Sequence, residues 1–153
     1  MDEFHARRLV DLYADTILRI SYSYLKQTCD AEDICQTVFL KYLTNDCTFD
    51  SIDHEKAWII RTTINACKDH LKSHWRKTTV PIEAARHVPA PAAEPGSILA
   101  SVNLLPPKYR AVIYLHYYEG YTAPEIAQLL GRLPSTVNTQ LRRGREQLKP
   151  LLE

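Results

Sequence analysis

Apolar residues recur at helical spacing through most of the chain, and nowhere do they alternate with polar ones over a strand's length. Residues 4–27 carry Val10, Tyr13, Ala14, Ile17, Tyr24 and Leu25 with no Gly or Pro between them, which predicts a first helix. Asp30-Ala-Glu-Asp33 then opens a second one. Asp30 can cap it, and the acids suit the positive end of its dipole. That helix is expected to run over 30–43 and to bury Ile34, Cys35, Val38, Phe39 and Tyr42. Residues 44–53 are rich in turn formers and read as a loop. A third helix over 54–76 would bury Ala57, Trp58, Ile60, Ile64, Cys67 and Leu71. Three helices of this length can enclose one core.

The pattern fails from residue 78 to residue 95, where Pro81, Pro89, Pro91 and Pro95 stand among alanines. Such a composition predicts an extended, semi-rigid linker, because proline removes backbone donors and fixes φ. Four helices are predicted beyond it, over 97–105, 107–118, 122–130 and 134–151. The expected fold is therefore all-α: two small helical domains, 1–77 and 97–153, joined by a Pro/Ala-rich linker, 78–96.

The C-terminal domain contains the most specific local signal. Thr122-Ala-Pro-Glu125 is a capping box with proline in the first turn, and Gly131 can end the helix that it starts. A short capped helix, a glycine turn and a longer helix make a helix-turn-helix. Ile126, Ala127, Leu130 and Leu133 are expected to pack on Val137, Leu141 and Leu148, with small Ala127 allowing a close crossing. Ser135, Thr136, Asn138, Thr139, Arg142, Arg143 and Arg145 then lie on or near the outer side. A helix fits the major groove, amides and hydroxyls reach bases or backbone, and arginines grip phosphates.

Charge sharpens this picture although the total, +1 over 153 residues, says little. Residues 28–55 hold seven anions against Lys41, a net of −6. Residues 56–77 hold six cations against Asp69, a net of +5, and 132–149 five cations against Glu146, a net of +4. Separate acidic and basic blocks suggest separate partners, and basic helices are the usual footprint of phosphate contact. No apolar stretch approaches the ~20 residues that span a bilayer. The first eight residues are too polar for a signal peptide, so the expected location is cytoplasmic, without membrane insertion. Cys29, Cys35, Cys47 and Cys67 are then expected to be reduced thiols.

The third helix offers a second nucleic-acid signal. Trp58, Arg61, Asn65, Lys68, Lys72, His74, Trp75 and Arg76 mix aromatic, amide and cationic groups, as binders of unpaired bases do. Trp58 also reads, more simply, as core filling; Trp75 is the better exposed candidate. Cys67, His70 and His74 share a face and, with Cys29 or Cys35, could make a zinc sensor, although a buried thiol beside surface histidines is the commoner arrangement. A stand-alone helix-turn-helix regulator is a further alternative. No phosphate loop, zinc-protease pair or nucleophile motif is present, so neither an enzyme nor a cofactor is expected.

Over essentially its whole length the chain resembles the small extracytoplasmic-function (ECF) sigma factors of bacterial RNA polymerase. The resemblance lies in Asp30-Ala-Glu-Asp33 with Gln36 and Phe39, in Lys56-Ala-Trp58-Ile59 with Asn65 and Asp69-His70-Leu71-Lys72, and in Leu105-Pro-Pro-Lys-Tyr-Arg110, Glu125-Ile-Ala127, Leu130-Gly131, Thr136-Val137 and Leu141-Arg-Arg143. It implies that the acidic second helix docks on the clamp of core RNA polymerase through Asp33, Gln36 and Phe39. It implies that the 44–53 loop and the third helix capture unstacked bases of the −10 element, and that the helix-turn-helix reads the −35 element as duplex. An anti-sigma protein is an expected partner. Thr62-Thr63 stand where the family often has Ile-Ala, Ser135 where it often has Gly, and Asn138 and Gln140 where it usually has cations.

Overall fold

A computed structural model describes residues 3–45, 48–77 and 97–152, with side chains throughout except at 74–77. The linker expected at 78–96, and Cys47 with it, lies outside the described residues. Among the described residues all regular structure is helical: α1 (Glu3–Leu25), α2 (Thr28–Thr44), α3 (Ile52–Lys77), α4 (Ile98–Val102), α5 (Pro107–Tyr117), α6 (Ala123–Leu130) and α7 (Pro134–Leu152). The chain divides into two compact units, Met1–Ala90 and Pro91–Glu153.

In the first unit α1, α2 and α3 pack on one another pairwise. The core comes from Leu9, Tyr13 and Ile17 of α1, Ile34 and Val38 of α2, and Ile59, Ala66 and Cys67 of α3. Several side chains sit differently from the sequence expectation. On α1 the inward stripe is Leu9, Tyr13, Ile17 and Ile20, while Val10 faces solvent. The serines Ser21 and Ser23 share that buried stripe. On α3 Leu71 is exposed and Ile59 is buried. Thr63 is fully buried, and its hydroxyl donates to the Ile59 carbonyl at 2.7 Å, so its polar atom is satisfied within the helix. The turn between α1 and α2 has neither glycine nor proline: Lys26 itself takes φ 57° and its N–H bonds the Tyr22 carbonyl at 2.8 Å. The second helix consequently begins at Thr28, with Gln27 as its cap and Asp30 in its first turn rather than capping it.

One polar cluster ties the three helices together. Glu55, only 6% exposed, accepts hydrogen bonds from Tyr13 of α1 (2.5 Å), Tyr42 of α2 (2.8 Å) and Arg8 of α1 (3.2 Å). Burial alone would raise the Glu55 carboxyl; the three donors and the Arg8 charge outweigh it and hold the group below its ordinary range.

The second unit is built on α5, whose residues 109–115 are all buried, with α4, α6 and α7 packed around it. Proline at the start of α5 costs no hydrogen bond, since that N–H would lack a helical partner. Helices α5 and α7 meet at Gly144, where an added Cβ would lie 2.8 Å from Cγ1 and 3.0 Å from Cδ1 of Ile113, and 3.4 Å from Cβ of Tyr109.

Candidate nucleic-acid interface

Helix α6 starts as the sequence predicts. The Thr122 hydroxyl accepts from the Glu125 N–H at 3.4 Å, and the Glu125 carboxylate accepts from the Thr122 N–H at 3.0 Å. It ends at Gly131 in the left-handed region, φ 65°, where the N–H groups of Gly131 and Arg132 both donate to the Ala127 carbonyl. Ile126, Ala127, Leu129 and Leu130 form its buried side. Leu133, expected in that seam, is 69% exposed, because the turn rotates it outward before α7 begins.

On α7 the buried positions are Val137, Leu141, Gly144 and Leu148, a helical stripe that fixes what faces away. Ser135, Thr136, Asn138, Arg142 and Arg143 are exposed, and Thr139 is half-buried with its hydroxyl donating to the Ser135 carbonyl at 3.0 Å. Arg142 reaches Glu146 at 3.4 Å, but both are largely exposed, so the pair is worth at most about 1 kcal/mol and readily gives way to a phosphate. Arg145 stands apart from this row. Its guanidinium donates to the Tyr117 hydroxyl at 3.3 Å, and it borders an apolar groove lined by Ile98, Val102, Ile113 and Tyr117.

In the first unit Arg61, Asn65 and Lys72 are exposed and Lys68 is half-buried; at i, i+4, i+7 and i+11 they form one stripe along α3. Trp58 begins that stripe as a half-buried residue against the core. Its ring meets Tyr42 edge-on at 5.9 Å and Phe49 at 5.8 Å, and Phe49 stacks on Tyr42 at 5.8 Å. Phe49 was not singled out from the sequence; an isolated aromatic in a turn-rich loop carries no periodicity. The side chains of His74, Trp75 and Arg76 lie outside the described residues.

On α2 Asp33 and Gln36 are exposed, whereas Phe39 is half-buried and packs on the core. The neighbouring apolar groups that do face outward are Leu40, 62% exposed, and Leu43, 49% exposed. Cys67 is wholly buried, and burial pushes its thiol up to about 11, the reverse of what a metal-bound thiolate requires. His70 points instead to Asp30, at 3.6 Å. Among the described residues no three His, Cys, Asp or Glu side chains stand where they could hold a metal ion. No helix among them is long and apolar enough to cross a membrane.

Residues 9–77 match the Sigma-70 region 2 family and residues 96–148 the Sigma-70 region 4 family. The RNA polymerase sigma factor SigZ of Bacillus subtilis is 31% identical, over 80% of this chain and 72% of its own length. The chain belongs to the sigma-70 family. Among its relatives the ECF RNA polymerase sigma factor SigW of Bacillus subtilis is 29% identical, over 94% of this chain and 87% of SigW. The ECF sigma factor SigE of Mycolicibacterium smegmatis is 30% identical over 94% of this chain, which spans 60% of that relative. The fold matches the sigma factor RpoE from Bartonella quintana, seen in complex with the anti-sigma factor NepR: TM-score 0.74 at 22% identity, covering 99% and 98% of the two chains. The protein is thus an ECF sigma factor, which directs promoter-specific initiation by RNA polymerase. The metal-sensor and stand-alone regulator alternatives are not favoured.

Proposed function

We propose that the two units divide the work of initiation, the first (1–77) meeting the polymerase clamp and the −10 element and the last (97–153) reading the −35 duplex, with residues 78–96 as a linker between them. The observation that supports this most is the outward row of α7: Ser135, Thr136, Asn138, Thr139, Arg142 and Arg143 stand on one side of a helix whose other side is seated on α5 and α6. Hydroxyls and an amide near the helix start would reach base edges, and the arginines a turn later would hold phosphates. Arg145, turned toward Tyr117, would contribute at the edge of that contact.

On α3 the stripe Arg61, Asn65, Lys68 and Lys72 would track the opened −10 strand, with Trp58 and the Phe49 and Tyr42 rings at its end, and with Trp75 and Arg76 further along the helix. On α2 Asp33 and Gln36 would contact core polymerase, and Phe39 would shape that face from behind while Leu40 supplies the apolar contact. The chain would act in the cytoplasm, without a catalytic centre or cofactor, and would be held by an anti-sigma protein, as the RpoE structure shows for that relative.

Run-off transcription with purified core polymerase on a promoter library tests this function directly: initiation at a defined sequence is expected, and its failure would overturn the assignment. Two narrower results follow. Arg142→Ala and Arg143→Ala are each expected to weaken promoter binding by holoenzyme and to lower the slope of log K against log salt by about one, since each removes one phosphate contact. An unchanged slope in both variants argues against docking through α7. The double variant Asp33→Ala with Gln36→Ala is expected to lose holoenzyme assembly in a core-polymerase pull-down while keeping its helical circular dichroism, because both side chains are exposed. Full assembly would remove α2 from the clamp contact.

A further inference from the structure

Beside the start of α7 lies a polar hollow of about 290 Å3, lined by Lys108 and Tyr109 of α5 and by Ser135, Thr136, Thr139, Gln140 and Arg143 of α7. Nothing in the sequence joins Lys108 to the helix-turn-helix, which begins fourteen residues later at Thr122. The fold does so by laying α5 against α7.

The chemistry of this hollow is one-sided. Its lining holds two cations, three hydroxyls from Ser135, Thr136 and Thr139, one amide and a phenol, and no carboxylate. The cations are available. Lys108 is exposed and lies over the Tyr109 ring, 5.0 Å from its centre, an arrangement that steers the ammonium without neutralising it. Arg143 is exposed and makes no ion pair among the described residues. Arg132, in the turn before α7, organises the rim: its guanidinium donates to the Gln140 side-chain oxygen at 2.8 Å and to the Lys108 carbonyl at 3.5 Å. With the Gln140 oxygen engaged, its amide N–H groups remain as the donors it can offer. Apart from Thr139, whose hydroxyl already donates to the Ser135 carbonyl, each polar side chain in the lining can thus present a hydrogen-bond donor.

A tetrahedral oxyanion meets such a set of donors well, and a carboxylate-free rim spares it repulsion. The hollow opens on the α7 side that carries Ser135, Thr136 and Arg143, so an anion placed there belongs to whatever α7 meets. We propose that this hollow seats a backbone phosphate of the promoter duplex, making Lys108 a DNA-contacting residue outside the helix-turn-helix. The inference rests on the assignment of α7 to the −35 duplex. Lys108 on α5 and Arg143 on α7 would clamp one phosphate from two sides and set the angle at which α7 enters the groove. A phosphate contact carries no sequence information of its own, so Lys108 would supply affinity and register, and base preference would remain with α7.

The test is the salt dependence of promoter binding by reconstituted holoenzyme, using the full chain with Lys108→Ala, Lys108→Arg and Arg142→Ala. For Lys108→Ala the slope of log K against log salt is expected to fall by about one, with the ranking of promoter sequences unchanged. Lys108→Arg is expected to restore the slope, since it restores the charge. The Arg132 bond to residue 108 is made to its backbone carbonyl and survives both changes. Unaltered circular dichroism and melting would confirm that the exposed position tolerates them. A wild-type slope for Lys108→Ala alongside a reduced slope for Arg142→Ala would overturn the phosphate seat and leave α7 in the groove. Wild-type slopes for both would overturn the α7 docking itself. A reduced slope together with a changed promoter ranking would mean that Lys108 acts on base selection, contrary to the proposal.

Discussion

Glu55→Ala is expected to destabilise the first helical unit by about 3–5 kcal/mol, the cost of removing one partner from a buried charged network. Glu55 is the one acceptor shared by Tyr13, Tyr42 and Arg8, which come from two different helices. Truncation leaves two phenol hydroxyls and a guanidinium without that acceptor and opens a cavity where α1, α2 and α3 converge. Domains hold only about 5–15 kcal/mol in total, so such a loss brings a unit of this size near unfolding. Glu55→Gln keeps the shape and one acceptor oxygen, and its loss is expected to be roughly half as large, since hydrogen bonds to a charged group are about twice as strong as neutral ones.

The same network sets a pH dependence. Because Glu55 is held below its ordinary range when folded, its contribution is full above the unfolded value of about 4.3 and is lost as pH falls through the lower folded value. Glu55→Ala should therefore flatten the acid limb of the stability curve as well as lower it. Both tryptophans, Trp58 and Trp75, belong to the first unit, so selectively excited tryptophan fluorescence during urea unfolding follows that unit alone. An unshifted midpoint in Glu55→Ala, at neutral pH, would show that the cluster is dispensable.

Gly144→Val is expected to cost the second unit about 3 kcal/mol and to abolish promoter binding in proportion. Glycine inside a helix is ordinarily unfavourable by about 1 kcal/mol against alanine, so its place in α7 calls for a packing reason. That reason is Ile113: a first carbon at position 144 would already sit 2.8 Å from its Cγ1, and Ile113 is itself buried on the rigid face of α5. Two further methyl groups cannot be absorbed without moving α7 off α5, and overpacking of this kind typically costs 1–3 kcal/mol or somewhat more. Movement of α7 would carry Arg143 away from Lys108. The contact can be isolated with Ile113→Ala: in the double variant part of the loss should return, since the smaller side chain makes room. Strict additivity of the two single effects in circular-dichroism melts would show that the clash is not the cause. Tryptophan fluorescence of the first unit should be unaffected by either change.

The elements that the sequence exposed are those governed by short-range rules. The α6 cap needed only Thr122 and Glu125 three residues apart, and its end needed only a residue that accepts positive φ, which Gly131 does. The break after α1 obeyed no such rule: Lys26 takes a positive φ at the point where α2 turns back to pack on α1, and no residue type announced it. Val10, Leu71 and Leu133 illustrate the same limit. Each is apolar, yet Val10 lies on the edge of its stripe, Leu71 beyond the last buried turn of α3 and Leu133 in the turn before α7, where the reach of a neighbouring helix decides between core and solvent. In the candidate interface, the outward row of α7 followed from periodicity with the exception of Arg145, which a tyrosine twenty-eight residues earlier turns aside.

Hydrophobic period and capping chemistry, both properties of neighbours along the chain, were enough to establish an all-helical protein with a helix-turn-helix, while the resemblance to a family rested on short motifs in their order and spacing. The tertiary structure alone decided that Glu55, one of the seven anions of residues 28–55, is buried and joins three helices; that Gly144 is a point of helix contact; and that Lys108 shares a hollow with α7. The physical reason is that burial and proximity depend on which helices meet. A charge or a glycine reveals its role only once residues far apart in sequence are brought within a few ångströms.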